Sequence, residues 1–470
     1  MEIMLNSNYL NIIILSNIFK LMNKKEQALN EQLSRIKIDI TRKSSIVDNL
    51  LSSDDISNNF NKNHSYRNRK YPPIKALSMF VSQSLSNGKK SCTDIVSEYV
   101  AEEAANGNTL SSLSGGYVQA RKKLLTEEMM KVLKKIASYA NNINTDSFHG
   151  MNVKVVDGTT IRIPDSEANK TIYPYSSNQK EGCSNLLVRA VVIMSFSTGS
   201  ILDFAVAPYK GKGTGEHSLL REIFDENIDN DTLLLGDCYY PSYWLLSALI
   251  LKSANGVFKL SESTKSYKVI DGKNKKDCKI IFKKPIKPNW MEQAYYEVIP
   301  NTITLRMIKA NKIKYVTTLL DKKYKKLEIK SLYNDRWSIE LNIRSLKTFM
   351  GMESLVCKSP DMIEREILSY FIAYNIVRLM MTKSAIIHGK INSNFLSFLH
   401  AMNLVVSLSM PLLYSNGCRY QIWDKLLKEI SKKKVANRSG RYEPRVTKKT
   451  GASFPKMNKK RSEYKIDKIA

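Results

Sequence analysis

The segment Tyr333-Asn-Asp-Arg336-Trp337-Ser-Ile-Glu340-Leu-Asn-Ile-Arg344-Ser-Leu-Lys347 has the periodicity of a two-faced helix. Wound at about 100° per residue, Tyr333, Arg336, Glu340, Arg344 and Lys347 fall within an arc of about 80°. Leu332, Ile339, Ile343, Leu346 and Met350 form a separate apolar stripe that can seat the helix on a core. One carboxylate is left on a polar face among three cations and a phenol. Such a face suits a site where a carboxylate holds a metal ion while cations grip phosphates. It equally suits a solvated face on which Arg336 and Glu340 form an i,i+4 pair.

Charge narrows the choice of partner. The 470 residues hold 73 Lys and Arg against 44 Asp and Glu, a net charge of +29. An excess of this size favours polyanions, nucleic acid first and an anionic membrane surface second. The last 40 residues alone carry 14 basic and 3 acidic groups. The six cysteines (92, 183, 238, 278, 357 and 418) form no Cys-x-x-Cys or Cys/His cluster, which argues against a zinc site and for free thiols in a reducing compartment. The first 22 residues have neither the leading positive charge nor the small-residue cleavage site of a signal peptide. Residues 395–414 are long enough to span a bilayer, yet His400, Asn403, three serines and Pro411 favour a buried helix pair, so no membrane partner is expected.

The pattern along the chain predicts about seven regions. Residues 1–70 read as an extension ending in a polar linker, and 71–148 as a helical, DNA-binding region. Within it, a Ser/Gly turn at Ser111–Gly116 separates a helix after Ser91 from a helix over Tyr117–Ile136 that bears Arg121 and Lys122. Short β-branched or apolar runs then predict strands at Val153–Val156, Thr160–Ile163, Leu187–Met194, Ile201–Val206 and Thr232–Leu235, with helices at Glu216–Phe224 and Tyr243–Leu251. Residues 149–254 are the first part of an α/β core: a mixed sheet flanked by helices. Residues 255–312 read as an inserted β-rich domain, with strands at Lys279–Lys283 and Tyr295–Val298. The core resumes over 313–358, 359–430 are helical, and 431–470 form a basic tail.

Two aspartates stand at strand ends upstream of Glu340. Asp157 follows Val153–Val156 and precedes Gly158-Thr159-Thr160; Asp237 follows Leu233-Leu234-Leu235-Gly236. Side chains at the carboxyl edge of such strands project into a crevice. Taken singly, each also fits a turn or a helix cap. Three carboxylates have a clear use on DNA: they can seat two divalent ions about 3.5–4 Å apart, which offset the phosphate charge at the attacking and leaving oxygens. Magnesium prefers oxygen ligands and keeps water and substrate in its shell.

The spacing Tyr333, two residues, Arg336, three residues, Glu340, six residues, Lys347 resembles the Y-(2)-R-(3)-E-(6)-K motif of the DDE transposases of the insertion sequence 4 family. The Asp-Gly-Thr and Gly-Asp-Cys-Tyr-Tyr contexts resemble that family's first two acidic motifs. Gly215-Glu-His-Ser218, Ser359-Pro-Asp361, Gln119-Ala-Arg121-Lys122 and Arg438-Ser-Gly-Arg441-Tyr-Glu-Pro-Arg445 resemble further family segments. The resemblance covers roughly residues 115 to 450. It implies a ribonuclease-H-like core and an Asp157, Asp237, Glu340 triad that is both catalytic and metal-binding. It also implies two Mg2+ ions per site, with Mn2+ able to stand in. It assigns DNA contacts to Tyr333, Arg336, Trp337, Arg344, Lys347, Arg121, Lys122, Arg438, Arg441 and Arg445. Trp337 is left between packing on a DNA hairpin and plain core, and Trp290 is a candidate to stack a flipped base. The activity implied is cut-and-paste transposition: a homodimer in the synaptic complex on double-stranded terminal inverted repeats, a hairpin intermediate, and joining of 3′ ends to target DNA. The setting implied is the bacterial cytoplasm, on the nucleoid. The alternatives are a related nuclease without strand transfer and an inactive DNA-binding remnant.

Overall fold

The computed structural model describes residues 46–51, 70–86, 90–144, 147–175, 185–264, 266–271, 276–310, 313–389, 391–407 and 419–435. Most of the 1–70 extension and the basic tail, with Arg438, Arg441 and Arg445, lie outside the described residues, as do residues 408–414 of the apolar stretch.

Five helices open the described chain: α1 (Ile46–Leu51), α2 (Pro73–Leu85), α3 (Cys92–Ala105), α4 (Gly115–Lys122) and α5 (Thr126–Ile143). Ser91 starts α3 with a reciprocal cap: its side chain accepts from Asp94 N–H at 3.1 Å, and its own N–H donates to the Asp94 carboxylate at 2.8 Å. The helix expected over Tyr117–Ile136 is in fact two. Leu125 adopts an extended conformation (φ −85°, ψ 131°) between α4 and α5, so the charged end of α4 and the amphipathic α5 point in different directions.

The strands form one sheet of nine among the described residues: β1 (Asn152–Ile163), β2 (Leu186–Ser195), β3 (Ile201–Pro208), β4 (Thr232–Gly236), β5 (Asn255–Lys259), β6 (Tyr267–Asp271), β7 (Asp277–Lys283), β8 (Thr302–Ala310) and β9 (Ile313–Thr317). Their order is β3-β2-β1-β4-β5-β9-β8-β7-β6. The first five make the mixed, ribonuclease-H-like part: β1, β2 and β3 are antiparallel neighbours, while β1, β4 and β5 run parallel. The two strands expected at 153–156 and 160–163 are one twelve-residue strand, because β2 pairs along Lys154–Ile163 and carries the ladder through Asp157. The inserted β-rich segment does not stand apart. β5 lies inside the central sheet and β6 to β9 extend its edge, so the polar, lysine-rich faces continue an existing ladder. Tyr295–Val298, expected as a strand, lies in the short helix α9 (Gln293–Val298), which buries no residue and serves as a surface connection.

Alternation along the strands divides the core. Val153, Val155, Ile161 and Ile163 face one side, together with Leu233 and Leu235. Val156, Val191, Ile193 and Leu234 face the other, under α7 (Glu216–Asn227) and α8 (Tyr243–Leu251); the four-residue α6 (Glu167–Lys170) sits after β1. β4 is buried at every position, which explains its unbroken apolar run. The first face is covered by α5, by α10 (Lys326–Asp335) and α11 (Trp337–Arg344), and by the 25-residue α12 (Pro360–Ser384). α12 is apolar nearly all round because α2, α5, α13 (Phe398–Ser407) and α14 (Arg419–Lys432) all pack on it. The described helices α12, α13 and α14 thus belong to the first core. Among the described residues no helix is long and apolar enough to cross a membrane.

Two buried cations stand out in this packing. Arg378 of α12, 1 % exposed, donates through Nε to Thr198 O and through Nη2 to Asn394 Oδ1, tying the β2–β3 turn to the C-terminal helices. Gly199 in that turn has φ +70°, and a Cβ there would stand 2.5–2.8 Å from the guanidinium. Lys383, 4 % exposed, lies with its Nζ 5.9 Å from the Trp423 ring.

Candidate active site

Sheet register brings the two aspartates together. β1 and β4 are parallel, and Val155 is paired with Leu235. Asp157 and Asp237 each lie two residues further along, on strands that in a sheet run about 4.8 Å apart. Leu235 and Val155 both face the first core, so period-two alternation directs Asp157 to the side where α10 and α11 pack. Asp157 is half-buried; its Oδ1 accepts from Gly158 N–H at 2.9 Å. Asp237 is just past β4, where its Oδ1 accepts from Tyr239 N–H at 2.8 Å.

The third carboxylate arrives on a helix anchored from both ends. Leu332, Ile343, Leu346 and Met350 of the expected apolar stripe enter the first core; the Ile339 side chain lies outside the described set. After Arg344 the helix widens into a π-turn, Ser345–Phe349, in which Met350 N–H reaches Ser345 O at 3.1 Å. The chain then returns to β1: Arg162 N–H donates to Glu353 O at 3.0 Å, and Leu355 N–H to Arg162 O at 2.9 Å. The strand that carries Asp157 therefore also holds the segment that carries Glu340. The π-turn departs from the regular 100° step from Ser345 onward, in the turn that carries Lys347.

Electrostatics record the convergence. Burial pushes the Asp157 carboxyl up to about 6; the Gly158 hydrogen bond and Arg336 oppose the rise, and Asp237 and Glu340 add to it. All three acids are thus within mutual influence around Asp157. Arg336 Nη2 donates to Glu340 Oε1 at 2.9 Å. Burial alone would lower the Arg336 guanidinium, but Tyr333, Glu340 and Asp157 outweigh it and hold the charge. Its Nε is buried without a partner. Three hard oxygen ligands with one carboxyl held high are a fit set for a divalent cation. Among the described residues, however, no group of three or more acidic, His or Cys side chains is closed into a ready cluster. Mutual repulsion opposes such closure, and Arg336 engages one Glu340 oxygen.

The other expected contact residues fall into different settings. Tyr333 is 8 % exposed, edge-on to Tyr315 at 5.0 Å, with Arg336 5.4 Å from its ring; burial raises its phenol to about 12. Trp337 is 59 % exposed, which removes the plain-core reading and leaves a free aromatic face next to the site. Arg344 and Lys122 are exposed, and Lys347 is half-buried. Arg121 packs over the Phe80 ring at 4.7 Å and donates to Gln83 Oε1 at 3.2 Å, so it is occupied by helix packing. Trp290 carries the Arg221 guanidinium 3.8 Å from its ring centre. With His217, Trp244, Lys284 and Tyr296 they line a cavity of about 260 Å³ beside the second core.

Sequence reasoning took Gly215-Glu-His as a helix start and gave Glu216 no part in the site. The structure lays the Glu216 carboxylate against Gly158, next to Asp157, and Tyr240 Oη donates to Glu216 Oε2 at 3.1 Å. The sequence hints at it in the glycine following Asp157 and in the family-like Gly215-Glu-His-Ser218 segment.

Comparisons with known proteins point to one kind of protein. The family described as Transposase DDE domain matches residues 148–376. The Transposase InsG for insertion sequence element IS4 of Escherichia coli (strain K12) is 25% identical over 367 residues, 75% of this chain and 80% of that protein. A cryo-EM structure of the piggyBac transposase synaptic complex with hairpin DNA aligns with a TM-score of 0.40 and 10% identity, covering 84% of this chain and 83% of that one. The matched span holds β1, β4 and α11, and with them all three acids: this region carries a transposase DDE domain, similar to that of an insertion sequence 4 transposase.

Proposed function

We propose that this enzyme moves an insertion sequence by cutting and pasting, with Asp157, Asp237 and Glu340 as its catalytic carboxylates. The observation that carries the reading is the parallel β1–β4 register, which puts Asp157 and Asp237 at one point of the sheet edge, with Glu340 in electrostatic reach of Asp157. These three would hold two Mg2+ ions, which when bound supply positive charge at the attacking and leaving oxygens of a phosphodiester. Arg336 holds Glu340 through Nη2 and would add guanidinium charge toward a bound phosphate. Trp337 offers an exposed ring to unstacked DNA, where such contacts are worth about 1–3 kcal/mol. Arg344, Lys347 and Lys122 add positive charge for the backbone. In the sequence proposed, water cleaves one strand at the element's end. The freed 3′-hydroxyl attacks the opposite strand to close a hairpin, a second water opens it, and the 3′-hydroxyl joins target DNA. Pairing two ends calls for two copies of the chain on DNA, acting on the nucleoid.

The test is substitution. Asp157→Ala, Asp237→Ala and Glu340→Ala should each abolish cleavage of an end-containing duplex while retaining its binding. Metal-dependent nicking by all three variants would overturn the assignment. A pre-cut end supplied with target DNA separates a transposase from a nuclease, because only the former yields joined product.

A further inference from the structure

Glu216 opens α7, which packs on the face of the sheet opposite to α10 and α11. A first-turn glutamate is ordinarily accounted for by the helix dipole. Two contacts go beyond that account. A Cβ added at Gly158 would meet Glu216 Cδ, Oε1 and Oε2 at 2.3, 2.5 and 2.6 Å, so the carboxylate lies flat on the backbone of the residue after Asp157. Gly158 is not among the glycines with positive φ; the absent side chain makes room for Glu216. The second contact is Tyr240 Oη at 3.1 Å. Tyr240 is 0 % exposed and stands three residues after Asp237. Burial first, and then the charges of Glu216, Asp157 and Asp237, drive its phenol far up.

We infer that Glu216 is a positioning residue for the metal-dependent reaction: it bridges the backbone after Asp157 to the chain after Asp237, fixes the separation of the two aspartates, and adds negative charge that draws a divalent cation. The inference rests on the triad reading above. A third anion beside two aspartates weakens the fold through repulsion, so its placement is explained by what the cluster attracts. Tyr240 keeps the Glu216 carboxylate at the Gly158 side, while strand alternation turns Asp157 to the opposite face.

The experiment measures Mn2+ binding to the full chain without DNA, by the loss of free-ion paramagnetic signal, beside cleavage at saturating Mn2+ and a thermal melt. Glu216→Gln keeps the Tyr240 partner and loses the charge; it should weaken Mn2+ binding about tenfold, the scale of one nearby charge, without lowering the melting temperature. Glu216→Ala loses the bridge as well and should also cut cleavage at saturating Mn2+. Tyr240→Phe should reproduce the cleavage defect of Glu216→Ala more than the binding defect of Glu216→Gln. Wild-type Mn2+ affinity in Glu216→Gln together with wild-type cleavage in Glu216→Ala overturns the inference, as does a defect seen only as a lower melting temperature. Asp157→Ala and Asp237→Ala run alongside: if they cleave, the triad reading itself has failed; if they are inactive while the Glu216 variants behave as wild type, only the role of Glu216 has.

Discussion

Replacing Lys383 by methionine should stabilise this protein, and the structure sets the size of the gain. Lys383 sits on α12 at 4 % exposure, and burial pushes its amine down to about 8 from an ordinary 10.5. At about 1.4 kcal/mol per pH unit, keeping the ammonium inside at neutral pH costs about 3 kcal/mol. Methionine follows the same path through the core with no charge. Against the gain stands the loss of the Trp423 ring contact at 5.9 Å, worth about 0.5–1 kcal/mol. The burial term wins, and Lys383→Met should gain about 2 kcal/mol at pH 7. The pH dependence carries a definite sign. Below pH 8 the lysine is charged in both folded and unfolded chains, so the penalty is complete. Between 8 and 10.5 the folded chain gives up its proton before the unfolded one does, so wild-type stability rises with pH and the gap to the variant narrows. Urea unfolding followed by tryptophan fluorescence at pH 7 and pH 10 measures both quantities. An equal or lower midpoint for Lys383→Met at pH 7, or a gap of constant size, would refute the reasoning.

Other expectations are simpler. Gly199→Ala should destabilise by about 2–4 kcal/mol in chemical denaturation, since φ +70° disfavours any Cβ and this one meets the buried Arg378 guanidinium; a loss below about 0.5 kcal/mol would show that the turn yields freely. Ser91→Ala removes one half of the α3 cap and should cost about 1 kcal/mol, measured in the same way. Arg336→Ala breaks a partly exposed pair and should lower stability by only about 1 kcal/mol, yet reduce hairpin formation on a pre-nicked end severalfold; parallel losses in both assays would assign Arg336 to packing. Chelation of divalent ions should stop cleavage and leave end binding in gel-shift assays, and restoring Mg2+ should raise the melting temperature by linkage.

Local patterns in the sequence determined a good deal. The helical character of Tyr333–Arg344, the apolar run of β4, the helices expected at Glu216–Phe224 and Tyr243–Leu251 and the place of Asp237 just past a strand follow from periodicity and from the chemistry of single residues, which act over a few positions of chain. The polar face of the Glu340 helix was legible for the same reason. Tertiary structure decided the rest, because it depends on partners far apart in the chain. The strand through Asp157 continues because β2 pairs with it; the inserted strands extend the sheet because β9 offers them an edge; Arg121, whose charge suggested DNA, is occupied by Phe80 and Gln83. The widening to a π-turn at Ser345–Phe349 is a local change that uniform spacing does not anticipate. Local sequence assigns Glu216 no partner: its partners are a glycine on β1 and a tyrosine past β4, and only the folded sheet brings the three together.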